Sequence, residues 1–377
     1  VAAQLLIGCS SQNVTTRIQI DGKTIRFDSM PGSNQVQETV QQRVAAERVD
    51  KLDLDTSAGD IDIQPNDDNS NTILIRATKV VTGRQAVEKL KPYLAKIKVT
   101  QQLEGNTLLV RAKVPEGALP NGVGYYVSYA ITAPKRLMVA LKSVSGDVKV
   151  ESVCGGIKAE TSSGGIALKA VAGPVELQTV SGDVSVQDVA DVTGSNAAEV
   201  TIRTSSGAAE LKNITGRFDA HSISGDITVE GAKITDSFKV ETSSGALKFS
   251  SIRAAGNDLD LHLTSVSGDI AYEGDVAKIE VHTSSGSAEI TATEHLTLKE
   301  VKAESISGNL SLKLPGLKSA QITAHSVSGS LELPKTDTVS DDDGEDNRRS
   351  ATVKLGDGAA PVTLSTSSGD IALEVEH

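Results

Sequence analysis

The stretch KSVSGDVKV at Lys142–Val150 returns as ETSSGGIAL at Glu160–Leu168 and as QTVSGDVSV at Gln178–Val186. Twelve such stretches share one register, fixed by glycines 59, 146, 164, 182, 207, 225, 245, 268, 286, 308, 329 and 369. From Gly146 to Gly329 the spacings are 18, 18, 25, 18, 20, 23, 18, 22 and 21 residues. A period near 20 is short for a helical pair and fits one coil of a β-solenoid. This bounds the 377-residue chain more tightly than its length, which allows two or three ordinary domains or one repeat array.

Within each stretch apolar residues alternate with polar ones. Seven and five residues before Gly stand pairs such as Ile157 and Ala159, or Val175 and Leu177. Two and four residues after it stand Val148 and Val150, or Ile227 and Val229. Period two means strands with one face inward and one outward. The glycine then marks a sharp bend and is expected to supply positive φ there. A further apolar residue seven after Gly, as at Val153, Val171, Val189, Ile214 and Ile252, predicts a short third side.

Three residues before each of the twelve register glycines is Ser or Thr, from Thr56 to Thr366. Its parity points it inward, where a hydroxyl needs a partner. The candidates are the same residue one coil away or a bend carbonyl. Twelve equivalent hydroxyls cannot all be nucleophiles, and none has a marked base, which argues against a catalytic serine. Directly after Gly, Asp147, Asp183, Asp226 and Asp269 alternate with Gly165, Ala208, Ala246 and Ser287. Stacked coils lie ~4.8 Å apart, so alternation spaces the carboxylates at ~9.6 Å and relieves like-charge stacking. Calcium-roll nonapeptides are absent, which argues against a metal row. Two residues before Gly, Val or Ile alternates with Ser.

The remainder is less regular. TRIQIDGKTIRF predicts a hairpin around Asp21-Gly22, and LEGNTLLVRAKV another around Gly105-Asn106. Residues 84–97 carry the one clear helix pattern, with Ala86, Leu90 and Leu94 on one face and Pro92 expected to kink or split it. This region reads as a cap over the end of the solenoid. The segment 337–350, DTVSDDDGEDNRRS, reads as an acidic loop between coils. Asp341, Asp343 and Asp346 are a minority candidate for a cation, since their spacing is not that of an EF-hand.

Aromatic residues are only 2% and Trp is absent, so the core must be thin layers of aliphatics. A net charge of -12 argues against nucleic acid as partner. The cysteines, Cys9 and Cys154, form neither a disulfide framework nor a zinc pattern. Cys9 ends LLIGC, which resembles a bacterial lipobox, so residues 1–9 read as a truncated lipoprotein signal with Cys9 as the lipidation site. No phosphate loop, Cys-His pair or H-E-x-x-H is present. His221, His282 and His325 share one outward position and read as solvated surface; His262 and His282 lie on neighbouring coils without an evident third ligand.

Together the VSGDV and TSSGGI coils, the early LDLDTSAGDIDI, the Lys/Glu helix after it and YAITAPKRL resemble the bacterial adhesin-type β-strand-repeat family of unknown function, the toast-rack domain. The resemblance runs from about Val49 to the C-terminus and implies a right-handed parallel β-solenoid in the cell envelope, with no catalytic residues to carry over. The expected fold is all-β, a single-stranded parallel solenoid of about 18–22 residues per coil with one short helix. Its expected divisions are 1–9 the lipoprotein signal, 10–50 N-terminal strands, 51–145 the first coil with its cap, and 146–377 regular coils with the acidic loop 337–350. The expected function is a non-enzymatic, lipid-anchored envelope adhesin or scaffold, with no cofactor. Its expected partner is an envelope protein, a polysaccharide or another copy. The alternatives are a carbohydrate-active β-helix enzyme, which requires a cleft where acids and cations converge, and an envelope-stress signalling adaptor.

Overall fold

The alternating residues form strands that stack in parallel, in two sheets joined at the Ser-Gly bend. This is seen in a computed structural model describing residues 33–66, 70–190, 198–256, 259–275, 277–293, 298–334 and 349–375. Strands at Gln4–Ser10, Asn13–Ile20, Lys23–Met30 and Val339–Asp343 are traced for their backbone course. The fold is all-β, a parallel β-solenoid with one short helix among the described residues. It divides into two compact units, Val1–Ala172 and Gly173–His377.

In the second unit the sheet before the bend runs through strands Val175–Thr179, Ala198–Thr204, Ala209–Ser222, Lys233–Thr242, Asp260–Ser265, Lys278–Thr283 and Glu300–Ser305, each parallel to the next, with one register shift between Gly216 and Phe218. The sheet after the bend repeats this order. Inward aliphatics from both sheets form the core, Val200, Val229, Leu247, Ile279 and Leu312 among them. Phe218, Phe238, Phe249 and Tyr272 add an interior aromatic stack, with ring centroids 5.0, 5.1 and 6.3 Å apart in succession.

Near the C-terminus the coils do not stack in chain order. Glu300–Ser305 is followed in space by Ala360–Thr366, and only then by Ala320–Ser326. The last coil of the chain is therefore intercalated between the coils of Gly308 and Gly329. Ala320–Ser326 is bordered on its other side by the antiparallel strand Arg349–Leu355, which pairs with Val339–Asp343. So part of the segment expected to be an acidic loop is a strand of an end cap. Backbone pairing there overrides the poor strand propensity of Asp.

The first unit, taken by itself, has the same device at one edge of its coils. Lys51–Ala58 and Ile61–Pro65 form a coil that lies between Met138–Glu151 and an outer turn built from Thr107–Lys113 and Val123–Ala133. Antiparallel strands complete that end: Lys98–Glu104 on one sheet, Thr72–Gly83 and Ser33–Ala45 on the other. Parallel coils leave an unpaired strand edge, which antiparallel pairing covers. The helix Val87–Leu94 packs on Ser33–Ala45 and Thr72–Gly83 through buried Leu90 and Leu94. Ala86 is exposed, because the helix begins after it. Pro92 lies inside the helix without splitting it, since only two residues follow before the end. Beneath it the buried Lys79 ammonium meets Glu38 at 2.5 Å and donates to the Leu94 carbonyl at 3.2 Å.

Candidate interaction surface

The bends are built from backbone chemistry. All twelve Ser/Thr residues three before Gly are buried. The hydroxyls of Thr161, Thr179, Thr204, Ser222, Thr242, Ser265 and Thr283 accept the N–H of their own bend glycine, at 2.8 Å for Ser222 and Gly225 and 3.0 Å for Thr283 and Gly286. Several also donate to a bend carbonyl, as Ser326 does to Gly369 at 3.0 Å. The hydroxyls stack in register, but those that are hydrogen-bonded reach bend backbone rather than one another, and the buried Ser143 hydroxyl has no partner among the described residues.

The glycines do not work as expected. Gly59 and Gly146 have positive φ, of 114° and 143°, whereas Gly225, Gly245 and their successors do not. What those positions require is absence of a side chain. A Cβ on Gly225 would stand 2.0 Å from the Gly207 carbonyl oxygen, and one on Gly245 2.0 Å from that of Gly225. The positive φ values appear instead six residues after Gly, at Ser152, Ala170, Asp188, Asn213 and Ser251, between 53° and 59°. This second corner starts the short third side, where Val153, Val171, Val189, Ile214 and Ile252 are buried.

Each Asp after Gly reaches to a neighbouring coil. Asp147, Asp183, Asp226 and Asp269 accept the N–H of Gly165, Ala208, Ala246 and Ser287 at 2.8–3.0 Å. Asp370 accepts both the N–H and the hydroxyl of Ser330 at 2.7 Å, and the N–H first, then the hydroxyl, holds its carboxyl below the usual range. Asn309 fits the same pattern. Its neighbour in space is Asp370, whose N–H it accepts at 2.9 Å. An amide there avoids stacking two carboxylates.

Outward residues of the sheet before the bend form rows of opposite charge. His262 lies 3.2 Å from Glu280 and 3.3 Å from Asp260; His282 lies 3.1 Å from both Glu280 and Glu304. Lys302 reaches Glu280 at 3.3 Å and Glu304 at 3.1 Å. The sequence places these two histidines on adjacent coils; the structure adds Glu280 between them. The His282 hydrogen bond, with Lys302 adding to it, lowers the Glu280 carboxyl.

Among the described residues no group of three His, Cys, Asp or Glu is placed to hold a metal ion. Asp341, Asp343 and Asp346 lie outside the described side chains, as do Cys9, His295 and His377. Two open depressions of about 400 and 530 Å³ in the first unit are lined by Asn66, Ser70 and neighbours, with Lys135 and Arg136 in one and Arg43 and Arg76 in the other. No described carboxylate lines either. A third, of about 290 Å³, does bring acids and cations together, but on an open sheet face where Arg111 pairs Asp53 at 2.5 Å and Lys142 pairs Glu160 at 3.4 Å.

Exposed aliphatics mark a different surface. Of the eight large hydrophobics exposed among the described residues, six stand two before a bend glycine: Val144, Val180, Ile223, Val266, Ile306 and Val327. The Val/Ile–Ser alternation is legible in the sequence; its exposure is not.

A family model described as Toastrack DUF4097 matches residues 10–189, 49–273 and 247–374. The chain belongs to the Toastrack family. No curated protein matches this Toastrack chain. Solved structures do. A "putative adhesin" from Parabacteroides merdae is 12% identical with a TM-score of 0.36, over 73% of this chain and 95% of that one. One from Parabacteroides distasonis is 13% identical with a TM-score of 0.32, over 73% and 96%. A "putative cell adhesion protein" from Clostridium sporogenes is 8% identical with a TM-score of 0.17, over 90% and 100%. These descriptions belong to those proteins; membership of the Toastrack family rests on the family model.

Proposed function

We propose that this chain is a non-enzymatic protein of the bacterial cell envelope, held to a membrane by lipid on Cys9, that acts as an adhesin or scaffold through its outward coil surfaces. The observation that carries the reading is the distribution of side chains. The bend carboxylates Asp147 and Asp226 and the Glu280 carboxylate of the outward row engage neighbouring coils, and the two larger depressions carry no described carboxylate. A glycosidase or lyase needs an acid and a base facing a substrate cleft. Among the described residues no helix is long and apolar enough to cross a membrane, and the lipobox-like LLIGC at Leu5–Cys9 supplies an anchor of another kind.

Expression in a bacterial host, with mass spectrometry of the N-terminal peptide and membrane fractionation, tests this. The expected result is an acylated Cys9 and a membrane-bound protein that Cys9→Ser releases. An unmodified Cys9 on a protein already in the soluble fraction contradicts the anchor. New reducing ends or unsaturated products from envelope polysaccharides contradict the non-enzymatic part.

A further inference from the structure

We infer that the aliphatic row Val180, Ile223, Val266, Ile306 and Val327 of the second unit is a self-association edge that takes a second copy of this chain. The inference does not depend on the adhesin reading.

The row is regular because of the coil order. Its five residues are between 37% and 58% exposed and stand on every second coil. Ser205, Ser243, Ser284 and Ser367 occupy the same position on the coils between. Along the chain Ile306 and Val327 belong to consecutive coils and would break the pattern. Intercalation of the last coil puts Ser367 between them.

The bend itself does not call for aliphatics. The backbone bonds are the same on either kind of coil: Ser206 N–H donates to the Val180 carbonyl at 3.0 Å, and Ser224 N–H to the Ser205 carbonyl at 3.0 Å. Serine therefore satisfies the position structurally. Singly exposed aliphatics are ordinary, but a row repeated on every second coil marks a contact surface.

The period selects that partner. Aliphatics recur every two coils, at ~9.6 Å, and span ~38 Å. An extended peptide presents side chains to one face every ~6.7 Å and is out of step at once. A straight helix presents them every two turns, about 10.8 Å, and slips by about one coil over the row. A second copy has the same period and stays in step throughout. Shifted by one coil, its aliphatics face the serines of the first. A two-fold antiparallel pair accommodates that shift and closes as a dimer. Along this ~38 Å row, the ~800 Å² per partner of a standard interface requires a contact strip about 20 Å broad. Asp183, Asp226 and Asp269 flank the row, and the chain carries a net charge of -12, so two copies repel. Association should strengthen with salt.

Sedimentation velocity on the full chain tests this, with Cys9→Ser so that no lipid contributes, over a series of concentrations at low and high salt. Expected is a reversible dimer favoured by salt, weakened roughly tenfold or more by Ile223→Asp with Val266→Asp. Leu103→Asp, an exposed aliphatic outside the row, should leave it unchanged. Circular dichroism and melting temperature should match among all variants. A wild type that stays monomeric throughout overturns the inference, whatever else the row binds. So does a dimer indifferent to the paired substitution.

Discussion

A bend glycine is fixed by the coil beside it. The carbonyl of Gly207 occupies the place of a Cβ on Gly225, so Gly225→Ala forces backbone apart. We expect a loss of about 3 kcal/mol or more by chemical denaturation, although alanine has ordinary backbone freedom. The sequence makes this glycine conspicuous, but only the stacking shows that close approach matters there. The hydroxyl three residues before it is legible by parity, while its partner is not, since local and inter-coil acceptors have the same spacing. Asn309 is the sharpest case. By chain order it is one more amide or acid in an alternating column; by contact it faces Asp370. Asn309→Asp is expected to lower stability by up to about 1 kcal/mol at neutral pH, with recovery in salt. No change would mean the two positions are not stacked.

The helix and its two strands show how far pattern reading reaches for an element. Leu90 and Leu94 are apolar at helical spacing, and both are buried. What lies beneath them is not legible, because Glu38 and Lys79 come from different strands and become cross-strand partners only through register. Their ion pair is buried, so removing one charge strands the other. Lys79→Met should cost roughly 3–5 kcal/mol, whereas Lys79→Met with Glu38→Leu should recover most of it. Urea denaturation of both variants checks this. Equal losses would show that the site tolerates an unpaired carboxylate. The acidic cap strand was hidden for a related reason: consecutive Asp residues read as loop, and a long-range antiparallel partner decides otherwise.

At the scale of the molecule, the fold class is legible and the coil order is not. Every coil satisfies the same alternation, so any coil can stack on any other as far as hydrophobic pattern is concerned. Charge placement also sets the response to acid. The carboxyls of Asp370, Glu280 and Glu241 are held below their ordinary range by hydrogen bonds to Ser330, His282 and Lys239 respectively. A lowered folded value means stability that is present above the unfolded value and lost as pH falls through the folded one. The melting temperature should therefore fall on acidification through the carboxylate range, and less so in Asp370→Ala. A variant with the same acid profile as wild type would remove Asp370 from this account.

The most direct measurement is disulfide trapping of the coil order. In a background with Cys9→Ser and Cys154→Ser, Lys302→Cys is combined with either Thr363→Cys or Thr323→Cys. Lys302 and Thr363 are register partners on adjacent strands, and Thr363 in turn separates Lys302 from Thr323. Adjacent strands stand within bridging distance, while two steps, ~9.6 Å, exceed it. The account predicts a crosslink for Lys302→Cys with Thr363→Cys and none for Lys302→Cys with Thr323→Cys, read by mass spectrometry of the oxidised monomer. The reverse result would mean that the coils stack in chain order, and would contradict the intercalated end.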